Sequence, residues 1–267
     1  MSEARDVASA LASANPDEQR SALEALAAAP DQLDAALALA VADCLRAPRK
    51  DLQRRAVDVL RAGGGAAHDA VLDALRAACA GDDKIHRWGA VYALGHLGRF
   101  EAVMIAPLID AFASPDGDQR WAAAQLLVAN GSAHGATIVP ALLGALARPE
   151  PLLRKMILYV VRDLHLDLPE VVEAFTDAMR DPDLGVRLAA LSGLIRLERP
   201  PPGMGDLVLA MAADDEDPGV RRAAVSALGR VGLSAAAVAP VLDAAAASDD
   251  AGLRRAAAAA RARLLEG

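Results

Sequence analysis

Trp88, Tyr92, Trp121 and Tyr159 are the only tryptophans and tyrosines in a chain of 267 residues. Trp88 and Tyr92 stand four apart, as do Trp121 and Gln125, and Lys155 and Tyr159. One further step of four leads from Tyr92 to His96. Residues four apart share one face of a helix. Rings on such a face offer a large contact area at low entropy cost, and arginine pairs with carboxylate or phosphate. Arginines of this kind follow at Arg196, Arg222, Arg230, Arg255 and Arg263. The chemistry these types suit is recognition rather than bond making.

Residues suited to catalysis do not group in the same way. Gly63–Gly65 is not followed by Lys-Ser/Thr, so it reads as a turn and not as a phosphate cradle. There is no His-Glu-x-x-His and no Cys-x-x-Cys. Cys44 and Cys79 read as small core residues, and two thiols without a disulfide framework suit a reducing compartment. No catalytic residue, metal or cofactor is expected. The N-terminus lacks an apolar signal segment, and no run of about 18 apolar residues occurs, so no membrane span is expected. The predicted setting is cytoplasmic, and the alanine and arginine usage suggests a bacterial source.

The elements that must hold these side chains repeat. Val220-Arg221-Arg222-Ala223-Ala224-Val225-Ser226-Ala227-Leu228-Gly229 returns as Val186-Arg187-Leu188-Ala189-Ala190-Leu191 and as His86-Arg87-Trp88-Gly89-Ala90-Val91. Taking Arg221 as the anchor gives equivalents at Gln19, Gln53, Arg87, Arg120, Arg154, Arg187 and Arg254. The steps are 34, 34, 33, 34, 33, 34 and 33 residues. Each period holds two helical patterns separated by turn signals such as Asn15-Pro16, Asp116-Gly117 and Asp217-Pro218. Expected first helices include 31–46, 101–113 and 134–147; expected second helices include 84–97, 117–130 and 151–164. The Pro200–Pro202 run breaks the chain between two repeats.

Composition agrees with an all-helical stack. The chain has 65 alanines and only 3% aromatic residues, so its helices must pack closely and β-propensity is poor. A single helix pair cannot bury its apolar face alone, so the pairs stack as a solenoid. The fold class expected is an all-α, right-handed superhelical solenoid of about eight pairs in one domain, 1–267. Its repeats run near 1–29, 30–63, 64–98, 99–131, 132–166, 167–199, 200–232 and 233–267.

The motif of an acid four before the anchor, an apolar residue, arginine and Ala-x-x-Ala-Leu-Gly resembles the HEAT repeat. It is most similar to the short bacterial form of phycobilisome bilin lyases. The resemblance covers the whole chain and speaks to fold more than to function. It implies a ladder of acids and arginines between neighbouring repeats, at Asp83/Arg87, Asp116/Arg120, Glu150/Arg154, Asp183/Arg187, Asp217/Arg221 and Asp250/Arg254. The pattern fails at Asn15/Gln19 and Arg49/Gln53.

Positions one, five and nine after each anchor form a stripe along the second helices. In the family these positions look into a concave groove. The stripe holds all four tryptophans and tyrosines on about 9% of the chain, so chance placement is a poor explanation. It carries eight basic residues and three acidic ones, against a chain charge of −8. Its expected partner-binding residues are Trp88, Tyr92, His96, Trp121, Gln125, Lys155, Tyr159, Arg196, Arg222, Arg230, Arg255 and Arg263. The function read from this is a non-enzymatic scaffold or adaptor for a protein with an acidic and apolar segment. A bilin-lyase-like or ligand-chaperone subunit is the alternative, and a HEAT-like nucleic-acid repair protein a second. The acidic balance weighs against nucleic acid.

Overall fold

The computed structural model describes residues 2–63, 69–166, 168–194, 196 and 203–266. Among them are sixteen α-helices and no strand. Contacts divide the chain into two compact units, Met1–Ala111 and Phe112–Gly267. The first holds α1 (Ser2–Leu11), α2 (Pro16–Ala28), α3 (Ala35–Asp43), α4 (Lys50–Ala62), α5 (Asp69–Cys79), α6 (Lys84–His96) and α7 (Ile105–Ala111). The second holds α8 (Gly117–Ala129), α9 (Gly131–Ala145), α10 (Pro151–Asp163), α11 (Pro169–Ala178), α12 (Leu184–Leu194), α13 (Met204–Asp214), α14 (Pro218–Ala227), α15 (Ala235–Ala247) and α16 (Ala251–Glu266). The Pro200–Pro202 run and the Gly64–Gly65 part of the glycine turn lie outside the described residues.

Each unit is a two-layer stack of helix pairs, an all-α solenoid. In the first, α2, α4 and α6 pack in series, with α1, α3 and α5 behind them. In the second, α8, α10, α12, α14 and α16 pack in series. The stripe positions therefore sit on neighbouring helices. Leucines, valines and alanines fill the space between layers, and Phe112 and Phe175 are fully buried in the second unit.

Three first helices differ from their expected bounds. The 31–46 pattern breaks into one-turn 3-10 segments at Pro30–Gln32 and Cys44–Arg46 around α3, because the Asp34 side chain accepts from Leu37 N and starts the helix there. The 101–113 pattern begins as a 3-10 turn at Ala102–Met104, leaving α7 only seven residues long. The 134–147 helix starts earlier, at Gly131, where α8 and α9 turn through 119° at Asn130. Asn130 Nδ2 donates to Leu126 O and so closes α8.

The anchor residues have a regular duty that differs from the one the motif implied. Seven of the eight, all but Arg87, reach back to carbonyls at the end of the preceding first helix, where orphan acceptors lie. Arg120 Nη1 donates to Ser114 O, Arg154 to Arg148 O and Pro149 O, and Arg187 to Asp181 O and Pro182 O. Arg221 donates to Asp215 O and Glu216 O, and Arg254 to Ser248 O and Asp249 O. Gln53 Nε2 does the same with Leu45 O and Ala47 O, and Gln19 Nε2 with Leu11 O. The glutamines thus fill the role with a neutral amide, so Gln19 and Gln53 are not failures of the pattern.

The acids of the expected ladder are corrected likewise. Asp83, Asp183, Asp217 and Asp250 each accept two backbone N–H groups at the start of their own second helix. Asp116 accepts from Asp118 N. Glu150 is held by Arg148 instead, through Nε and Nη2. The aspartates are caps, favoured because a carboxylate at a helix N-terminus meets unpaired donors and the positive dipole end.

Pairing between repeats uses acids of the following first helix or its closing turn. Arg87 pairs with Asp110 at 3.0 Å. Arg154 grips Asp181 with both Nε and Nη2, at 2.7 and 2.9 Å, and Arg187 grips Asp215 at 2.9 Å twice. Burial opposes ionisation of Asp181, but Arg154 and the Asp183 N–H outweigh it and hold the carboxyl below its usual range.

Close approach of backbones decides which glycines can change. A Cβ on Gly89 of α6 would lie 2.7 Å from Leu45 O and 2.8 Å from Leu45 Cβ. A Cβ on Gly144 of α9 would meet nothing within 4 Å. Gly144→Ala is therefore expected to stabilise by about 0.5–1 kcal/mol through backbone entropy. Gly89→Ala is expected to destabilise by about 1–3 kcal/mol, because a backbone oxygen cannot step aside. Urea unfolding midpoints of the two variants check the opposite signs; two shifts of the same sign would refute the packing argument.

Candidate functional site

None of the twenty-four stripe positions is buried. The same helical spacing that buries Ala90, Val91 and Leu94 of α6 turns Trp88, Tyr92 and His96 outward. Helical period thus puts the core and the stripe on opposite sides of each second helix.

In the first unit the rings form a file along α6. Trp88 and Tyr92 have centroids 6.0 Å apart at 34°, and Tyr92 and His96 lie 4.3 Å apart at 59°. Trp88 and Tyr92 are half-buried and His96 is exposed. The stripe charges of this unit balance, with Arg20 and Arg54 against Glu24 and Asp58. Arg20 bridges Asp17 and Asp51, and Arg55 of α4 reaches Glu24.

In the second unit the rings join two helices. Trp121 of α8 and Tyr159 of α10 lie 6.2 Å apart with planes only 10° from parallel. Trp121 is 50% exposed, an unusual state for an indole. Two cations attend Tyr159, with Lys155 Nζ 5.8 Å and Arg162 Cζ 4.9 Å from its centroid. Gln125, one turn beyond Trp121, is exposed.

Arg162 is a site residue that the spacing rule missed, because it falls between stripe positions. The signal was present in Tyr159 and Arg162 three apart, which places them together on a helix. Arg162 grips Asp163 through Nε and Nη2 at 2.8 and 3.1 Å and holds that carboxyl below its ordinary range. Its Nη1 donates to Ser192 Oγ of α12 at 3.2 Å.

The basic excess of the stripe belongs wholly to the second unit. There it carries Lys155, Arg196, Arg222, Arg230, Arg255 and Arg263 against Asp163 alone. The unit as a whole has 16 basic and 20 acidic residues, a net of −4. Arg196, Arg222, Arg230 and Arg255 are exposed. Arg222 pairs with Asp250 at 3.2 Å, and Arg263 Nη1 reaches Ser226 O at 3.4 Å. The two cysteines lie elsewhere, buried and free, with thiols pushed up to about 11 chiefly by burial. That keeps them protonated and poorly nucleophilic. Among the described residues no single helix is long and apolar enough to cross a membrane.

Comparison with known proteins identifies the repeat. The family model of HEAT repeats matches residues 37–128, 105–195 and 198–262. Curated proteins gave no match. Among solved structures, the archaeal HEAT-like repeats protein of Thermococcus onnurineus NA1 is 12% identical with a TM-score of 0.51, over 85% of this chain and 98% of that one. The karyopherin Kap121p, bound to the extreme C-terminus of the protein phosphatase Cdc14p, is 15% identical with a TM-score of 0.57 over 98% of this chain. This chain spans about a third of the karyopherin, 33%. The complex of CpcE and CpcF of phycocyanin lyase from Nostoc sp. PCC7120 is 24% identical over 88% of each chain, with a TM-score of 0.38. Likeness at these levels speaks to fold alone.

Proposed function

This chain belongs to the HEAT-repeat family, and we propose that it works as a non-enzymatic scaffold or adaptor that holds an acidic, partly apolar protein segment along its second helices. The carrying observation is the second unit, whose stripe is +5 on a body of −4 and begins with a half-exposed indole. An exposed apolar patch rimmed by charge is the usual mark of a binding surface. Trp121 and Tyr159 act as anchors, and the arginines supply steering and register. Trp88, Tyr92 and His96 form a separate aromatic surface in the first unit. The karyopherin of like fold, which holds a phosphatase tail, supports a protein segment as the class of partner. The two free buried thiols support a cytoplasmic setting.

Affinity capture with the wild-type chain and with Trp121→Ala/Tyr159→Ala tests the reading. A protein retained by the first and lost by the second, with equal helicity of both chains, is the expected result. Loss should be at least about thirtyfold in affinity, as two central aromatic anchors are removed. Retention of the same protein by both chains would refute the site.

A lyase-like or ligand-chaperone role is the second reading, favoured by the parallel Trp121–Tyr159 pair beside Lys155 and Arg162. It requires an absorbing planar ligand to copurify with the wild type and not with the variant.

A further inference from the structure

The chain has two asparagines, Asn15 and Asn130, and only one of them can react with its own backbone. Asn15 is followed by Pro16, whose nitrogen carries no hydrogen. Asn130 is followed by Gly131, which has no Cβ to shield its nitrogen. Such a pair can close a five-membered imide. The Gly131 nitrogen gives up its proton and attacks Asn130 Cγ. The new N–C bond forms as the Cγ–Nδ2 bond breaks, and Nδ2 takes up a proton and leaves as ammonia. Water then opens the imide at one of its two carbonyls. The product is aspartate or, with the main chain routed through Cγ, isoaspartate. Water enters, ammonia leaves, and no group is oxidised or reduced.

The α8–α9 corner holds this pair out of reaction. Asn130 Nδ2 donates to Leu126 O at 2.8 Å, so the side-chain amide is turned back along α8. Asn130 lies at φ −102° and ψ 4°, and its carbonyl accepts from His134 N at 2.9 Å in the first turn of α9. That carbonyl and the Gly131 nitrogen share one peptide plane, so ψ cannot turn toward ring closure without breaking the His134 bond. Gly131 is the first residue of α9, so its N–H has no acceptor within that helix. Two hydrogen bonds therefore stand between the pair and the imide. We infer that Asn130 is a site of spontaneous deamidation, gated by opening of the α8–α9 corner and disabling that corner once it has reacted. Neither product keeps the Nδ2 donor that closes α8. Isoaspartate also lengthens the main chain beside Gly131, where the Leu164 side chain already fills the space that a Cβ would need. A corner that has opened and reacted therefore recloses poorly.

The full chain is incubated at mildly alkaline pH, folded and in guanidinium chloride, and followed by peptide mass mapping and ammonia release. Conversion is expected at Asn130 and not at Asn15. It should be about thirtyfold slower in the folded chain, the factor that two net hydrogen bonds impose. Asp116–Gly117 can close the same imide, but it releases no ammonia and gains no charge, which distinguishes it from Asn130. The converted chain, separated by its added negative charge, should unfold at a lower urea concentration than the unconverted chain. Equal rates in the folded and unfolded states would overturn the gate. An Asn130 that stays intact in guanidinium chloride would overturn the site itself. An unchanged urea midpoint of the converted chain would overturn its effect on the corner.

Discussion

Replacing Arg187 with methionine should lower stability by about 3–5 kcal/mol, far more than any exposed pair in this chain is worth. The side chains of Arg187 and Asp215 are 9% and 7% exposed. Removing the guanidinium strands a buried carboxylate, which keeps the Asp217 N–H as a donor but loses both arginine bonds. It also leaves Asp181 O and Pro182 O without the Nη1 that fills them. For a body of this size the loss corresponds to roughly 6–20 °C in Tm. Arg187→Met/Asp215→Leu should recover most of it, because no charge is then left buried. Arg222→Ala, which breaks a half-exposed pair with Asp250, should change stability by less than about 1 kcal/mol. Thermal unfolding of the three variants measures the order; an Arg187→Met loss no greater than that of Arg222→Ala would refute a structural role for the buried pair.

A second large effect is expected where α11 meets α12. The Phe175 ring is fully buried, and its Cε1, Cζ and Cδ1 atoms fill the space that a Cβ on Gly193 would need. Phe175→Ala should cost about 3–5 kcal/mol through lost burial and the cavity left behind. Gly193→Ala should cost about 1–3 kcal/mol through overpacking, despite the gain in helix propensity. Shortening the ring makes room, so Phe175→Leu/Gly193→Ala should be less damaging than the sum of its parts by more than about 0.5 kcal/mol. A double-mutant cycle in urea gives the coupling, and additive values would mean that the two residues do not share the space.

The repeat, its period and both helices of each pair were legible in the sequence because every copy spends a similar set of small apolar residues on the same layer. The stripe was legible for the complementary reason: its rings and arginines recur where burial forbids them. The partner of the anchor was not legible. An acid four before the anchor recurs in six copies and looks like a pairing residue, yet its usual task is to cap a helix. The bidentate carboxylates, Asp181 and Asp215, stand six before the next anchor and occur in only two copies. The other copies there include Ser13, Ser114 and Ser248, whose hydroxyls accept from the backbone N–H two residues on, as the two aspartates do. A Ser-or-Asp signature two residues before the cap was thus available, but its shared role is a turn, and only Asp adds the charge. Helix ends at Asp34 and Asn130 depended on single capping side chains, which periodicity does not weigh.

The two kinds of arginine bond act at different ranges along the stack. Bonds from an anchor to the turn just before it stay inside one repeat and set how well that repeat holds alone. Arg154–Asp181 and Arg187–Asp215 cross from one repeat to the next and set how strongly neighbours open together. Two successive crossings tie the helices from α10 to α14 into one cooperative block, with α15 and α16 beyond it. Fraying that starts at the C-terminal helices therefore stops at that block, and amide exchange there reports its global opening. Tyr159, Arg162, Ser192 and Arg222 ride on the block, so the aromatic end of the face keeps its shape while the part on α16, with Arg255 and Arg263, opens first.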